Sequence, residues 1–143
     1  MLREGVHLLG PEARRAFAAL IAAQAAHSCE EYVWRLYESF PPARFVSSLV
    51  STDLQRGFLI ANLFVVGFGV WCVLGPVRHN WPAARPLALV WVVVELINGI
   101  GHPSWSIMQG GYTPGVATAP LLFVLAVILT RRVYASQPDA EPR

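Results

Sequence analysis

The chain has 143 residues, enough for one domain, with 55% hydrophobic and only 14% charged residues. Soluble domains carry roughly 25% charged residues, so this chain cannot cover its surface with charge, and an integral membrane protein is the default reading. The net charge of +2 comes from scattered Arg with no Lys, which excludes a nucleic-acid patch; the sequence also holds no phosphate-binding glycine loop and no CxxC pair.

Four stretches are long enough to cross the roughly 30 Å hydrocarbon layer as helices of about 20 residues. The first is about 15–36 and the second about 57–75, closed by Gly75-Pro76. The third is about 84–105, broken by Pro103, and the fourth about 116–133, ending at Arg131-Arg132. None shows period-2 alternation, so residues 1–143 are expected to form a single all-α domain, a four-helix transmembrane bundle. Pro41-Pro42 predict a loop after the first helix, and Trp81-Pro82 a tight one after the second. Gly67 and Gly69 suggest close packing. Residues 1–26 also resemble a secretory leader, with Arg14-Arg15, an apolar run and small residues around 23–26. The long acidic lead-in with Glu4 and Glu12 argues against that, as does the loss of most of the first span.

Arg3, Arg14, Arg15, Arg78, Arg85, Arg131, Arg132 and Arg143 share one side of this topology, against Arg35, Arg44 and Arg56 on the other. Basic residues concentrate on the cytoplasmic side, so both termini are expected there. Trp34, Tyr37, Trp105 and Tyr112 then form the outer aromatic belt, with Trp81 and Tyr134 in the inner one.

The apolar segments hold ionisable groups, which are expensive in hydrocarbon and usually face a bundle interior. His27, Glu30 and Glu31 stand at i, i+3 and i+4, with Gln24 one turn earlier. Glu95, Asn98 and His102 stand at i, i+3 and i+7. Each set forms one stripe on its helix. Both helices run outward, so the stripes converge with Asn62 and the 110–115 loop in the outer half. Glu95 lies about 10 Å deeper than His102 at 1.5 Å per residue. Bundle-core metal sites are built from Glu and His one turn apart on facing helices. Imidazole with carboxylate suits zinc or iron, which makes His27, Glu31 and His102 the candidate ligands for a divalent transition metal. Without a metal the same groups suit general acid–base work, and Glu30, Glu31, Glu95, Asn98 and Tyr112 are the candidates for catalysis.

Each residue also has a plainer reading. Glu30 and Glu31 can snorkel to water, Glu31 beside Arg35, with one Glu outward and the other inward. His27 can be a satisfied core histidine, and His102 can bond carbonyls freed by Pro103. Glu95 can be a protonated carboxyl bonded to Asn62 or a backbone carbonyl. Asn62 and Asn98 can be packing glue, and residues 112–115 a turn and helix start. Cys29 reads as a small buried hydrophobe, and it and Cys72 give no disulfide framework.

His27-x-x-Glu30-Glu31, Asn98-x-x-x-His102 and Tyr112-x-Pro114-Gly115 stand in this order along nearly the whole chain. They resemble the three signature motifs of the HXXEE-domain membrane proteins. The resemblance implies a multi-pass protein of the bacterial cell membrane whose motif residues form the site, and it names no reaction. The expected function is a metal- or acid/base-dependent enzyme acting on a lipid-like or other apolar small molecule, with membrane lipid as its surroundings and no nucleic-acid partner. Two other classes fit the same residues. One is a structural or accessory membrane protein with a polar packing cluster. The other is a proton- or cation-coupled transporter, which at this size needs an oligomer to form a pathway.

Overall fold

A computed structural model of the protein describes residues 8–135; Arg3, Glu4 and Arg143 of the sequence argument lie outside them. Among the described residues every regular element is helical. Helix α1 (Pro11–Val33) starts on a proline at its first position, where the missing N–H costs nothing. It ends where Arg35 turns to a left-handed φ of 58°. A four-residue α2 (Leu36–Ser39) follows.

Pro41-Pro42 do not form a loop. They open a further helix, α3 (Pro41–Val50), because proline at the first two helical positions is pre-set in φ and loses no internal bond. This helix is inside out. Small, polar Ser47 is buried against the α4 backbone at Gly57, while Phe45, Val46, Leu49 and Val50 face outward.

Helix α4 (Leu54–Cys72) is capped by Asp53, whose Oδ1 accepts the Arg56 N–H at 3.1 Å. Gly75-Pro76 do not close it. The chain widens into a π turn (Val73–Val77), in which the Arg78 N–H reaches back five residues to the Val73 carbonyl, so the proline is carried through. Helix α5 (Ala84–Gln109) likewise continues past Pro103, and its Gly99 packs closely against Phe123. It stops at Gly110, in the left-handed region with φ 68°. Helix α6 (Ala119–Ala135) starts three residues later than the sequence pattern predicts, after a run of turns over 114–118.

Helix α1 packs on α4 and α6, α5 packs on α6, and α5 meets the α4 arm chiefly through the π turn. An apolar core fills the half nearer the start of α1, from Phe17, Leu20 and Ile21 to Trp91, Leu122 and Leu129. A smaller cluster of Leu36, Tyr37 and Phe58 closes the opposite end. Tyr37 therefore belongs to this core and not to an aromatic belt, while Trp34 and Tyr112 do pair near the surface at 5.3 Å. Gly69 admits Ile21 and Trp91 closely, but Gly67 packs on nothing. Two helical stretches, Leu54–Val77 and Ala84–Gln109, are long and apolar enough to cross a membrane.

Candidate metal centre

Between the two apolar clusters lies a polar centre. The i, i+4 spacing on α1 puts His27 and Glu31 on one face, and α5 brings His102 opposite. Glu31 Oε1 lies 3.3 Å from His27 Nε2 and 3.2 Å from His102 Nε2. One donor atom from each residue falls within 4.8 Å of the others. His27 is fully buried, and Glu31 and His102 are nearly so.

Hydrogen bonds at the far side of each ring assign the proton on Nδ1. His102 Nδ1 lies 2.8 Å from the Pro114 carbonyl, which can only accept, so Nδ1 donates. His27 Nδ1 lies 2.7 Å from Thr118 Oγ1. The Thr118 hydroxyl spends its one proton on Glu30 Oε2 at 2.5 Å, so His27 Nδ1 donates as well. Both Nε2 atoms thereby face the same carboxylate oxygen, and in the neutral tautomer each offers a lone pair there. His27 Nε2 is buried without a hydrogen-bond partner, although it lies within ion-pair distance of Glu31. Two imidazole nitrogens and a carboxylate oxygen this close together in a buried place form a donor set that a metal ion or a proton can fill. The fit is good: two imidazoles and a carboxylate are the donor set of catalytic zinc and non-haem iron centres. The two distances from Glu31 Oε1 match the edge of about 3.3 Å of a tetrahedron with bonds of about 2.0 Å.

Glu30 turns the other way. Its carboxylate accepts from the Tyr112 hydroxyl at 2.6 Å, from the backbone N–H groups of Gly115, Ala117 and Thr118, and from the Thr118 hydroxyl. Both oxygens are thus committed to the segment that joins α5 to α6. Burial, and then the adjacent Glu30 carboxylate, push the Tyr112 phenol up to about 12, which keeps it a donor. Gly115, at φ 90°, presses its backbone on both rings; a Cβ there would lie 2.5 Å from His102 Nδ1 and 2.9 Å from His27 Cε1. The Tyr-x-Pro-Gly sequence is therefore a plate that Glu30 holds down and that orients both imidazoles. Such partners fix the tautomer and direction of a metal-binding histidine.

Glu95 is fully buried and accepts from the Asn98 amide at 3.2 Å. It lies in the electrostatic reach of Glu31 but outside the three-residue cluster. Asn62 bonds its own helix at the Phe58 carbonyl. Arg35 pairs with Glu38 at 3.4 Å and leaves Glu31 to the histidines. Cys29 is exposed; the buried cysteine is Cys72. Thr118 went unnoticed in the sequence. It stands just before α6, where a threonine ordinarily signals only a helix cap. A groove of about 270 Å³ reaches the centre from the side, with Glu31, Asn62, Asn98 and His102 among apolar walls that include Phe40, Val46 and Phe58.

A family model described as "Protein of unknown function with HXXEE motif" matches residues 18–130. No curated protein and no solved structure matches the chain.

Proposed function

This chain belongs to the HXXEE family, and we propose that it is a multi-pass membrane enzyme holding one divalent transition metal, zinc or iron, on His27, Glu31 and His102. The observation that carries this reading is the pair of Nε2 atoms aimed at one Glu31 oxygen, with each Nδ1 bonded on the far side of its ring. When bound by three protein ligands, such a metal supplies Lewis acidity and an open coordination position.

The chain's own residues divide the remaining work. Glu30, Tyr112 and Thr118 act as positioning residues, because every oxygen of Glu30 is already bonded. Glu95, held by Asn98 beside the centre, is the group placed to hold or receive a proton, with Asn98 on the groove wall. The groove's apolar walls fit a lipid-like or other apolar substrate with one polar group turned inward.

Membrane residence rests on more than the two long apolar helices. Phe64, Ile97, Ile107 and Met108 are all well exposed, as are Leu121 and Val124 of α6. Apolar exposure on this scale suits lipid contact. Helix α6 is 17 residues long, and α1 beyond Arg15 is apolar except for Gln24, His27, Ser28, Glu30 and Glu31. Read as four spans with the inside-out α3 lying in the outer interface, the Arg distribution puts both termini in the bacterial cytoplasm. Reporter fusions at Gly111 and after Ala135 should report opposite sides, with the latter inside; the reverse would overturn the orientation.

Metal analysis of the detergent-purified protein tests the main claim. One zinc or iron per chain, lost in His27→Ala and Glu31→Ala but kept in Glu12→Gln, is the expected result. A folded wild-type protein that stays metal-free after loading with zinc or ferrous iron would leave the cluster as structural packing.

A further inference from the structure

At the opposite end of α1, a pocket of about 370 Å³ lies between the start of that helix and the π turn. Its rim carries Arg14, Arg15 and Arg78, and its wall is apolar, with Ala18, Val73 and Leu74. Like charges do not gather without a reason. Arg14 Nη1 reaches the Arg78 backbone carbonyl at 3.3 Å, which draws the two basic residues together instead of apart. Arg14 Nε is buried without a hydrogen-bond partner. Among the described residues, Glu12 is the one carboxylate paired with these arginines, and it bonds Arg15 at 2.9 Å. The local field adds to the excess. Among the described residues no side chain caps the N-terminus of α1, whose dipole is positive there, so Arg14 and Arg15 stand at the end of a helix that favours anions. The joint is also held in place: Asn80, in the left-handed region, accepts from the Leu9 N–H and donates to the Leu9 carbonyl. The arginines are thus fixed to a frame.

We propose that this pocket binds the phosphodiester headgroup of an anionic phospholipid, with its acyl chain running along Val73 and Leu74. A charged rim above an apolar wall matches a molecule with both parts, whereas free phosphate would use the rim and leave the wall bare. Basic pockets between spans on the cytoplasmic side take such headgroups. The pocket lies roughly 18 Å along α1 from His27 and is independent of the metal.

The test uses the full chain in detergent, incubated with equal amounts of phosphatidylglycerol and phosphatidylcholine carrying the same acyl chains, and native mass spectrometry of the retained lipid. The wild-type protein should prefer the anionic lipid by roughly tenfold or more, the order expected from about two basic contacts. Arg14→Gln with Arg78→Gln should bring the two lipids to parity, and Arg14→Lys with Arg78→Lys should keep a preference. Equal retention of both lipids by the wild type would overturn the proposal, as would an undiminished preference in the glutamine variant. Inorganic phosphate that displaces the lipid at equal concentration would reassign the pocket to free phosphate and also overturn it. If the glutamine variant does not fold, the wild-type comparison decides alone. Metal content should be equal in the wild type and the folded variant, which separates this proposal from the metal centre.

Discussion

His27 and His102 stand edge to face, with 4.7 Å between ring centroids and 85° between ring planes. Each turns Nδ1 toward the segment joining α5 and α6 and Nε2 toward Glu31. The two rings are thus aimed by one piece of chain, and most of the tests below act on that piece.

Gly115→Ala should damage the centre directly. The residue has φ 90°, and its new Cβ would enter the space of both imidazoles. Strain of this kind costs about 1–3 kcal/mol, and the rings must move to relieve it. The variant should unfold at lower temperature in detergent and bind zinc more weakly. Wild-type values in both measurements would show that the loop does not set the rings.

Thr118→Val keeps the shape and removes the hydroxyl that bridges Glu30 to His27. Loss of such a partner weakens metal affinity about 10- to 100-fold. Thr118→Ser should restore most of it. Equal zinc affinity in all three proteins would argue against the bridge.

Glu95→Gln preserves shape and abolishes ionisation. Because Glu95 lies outside the cluster of three donors, metal content should stay at the wild-type level. If Glu95 moves a proton in the reaction, turnover of an accepted substrate should fall about 10²- to 10⁴-fold. Unchanged turnover would move Glu95 to packing.

Tyr112 gives a pH dependence with a definite sign. Its phenol is pushed up to about 12 in the folded protein, from an ordinary value of 10.0, by burial and by Glu30. The folded state therefore holds the proton more tightly than the unfolded state. The stabilisation is complete below pH 10 and fades as pH rises from 10 through 12. Thermal midpoints of the wild type and Tyr112→Phe should differ near pH 8 and converge near pH 12. A gap that widens with pH would reverse the assignment.

The helical class and the residues of the centre were legible in the sequence because both depend on short-range spacing. His27 and Glu31 are one turn apart, and Asn98 and His102 are too, so helical geometry alone puts each pair on a face. That Glu30 and Glu31 would part, one to the loop and one to the histidines, needed the third dimension: adjacent residues on a helix point about 100° apart, and only the fold says what waits in each direction. The prolines misled for a similar reason. Proline breaks a helix when its ring meets an ordinary backbone, but Pro41-Pro42 occupy a first turn and Pro76 a widened π turn, while α5 runs on through Pro103. Thr118 was invisible because its partners are 88 and 91 positions away.

The bonds of Glu30 reach 82 to 88 positions down the chain. On the membrane reading, this has a consequence for biogenesis. When α1 leaves the ribosome, Glu30 has none of its partners yet made and His27 and Glu31 have only each other, since Tyr112, Gly115 and Thr118 come after α5. Carboxylates alone in hydrocarbon are unfavourable by at least ~2.5 kcal/mol each at mid-bilayer on insertion scales. The first span is thus the one least able to settle by itself. It must wait at the interface or beside the insertion machinery until the final hairpin arrives. A chain truncated after α5 should therefore leave α1 accessible to water-soluble reagents, although every residue of α1 is present.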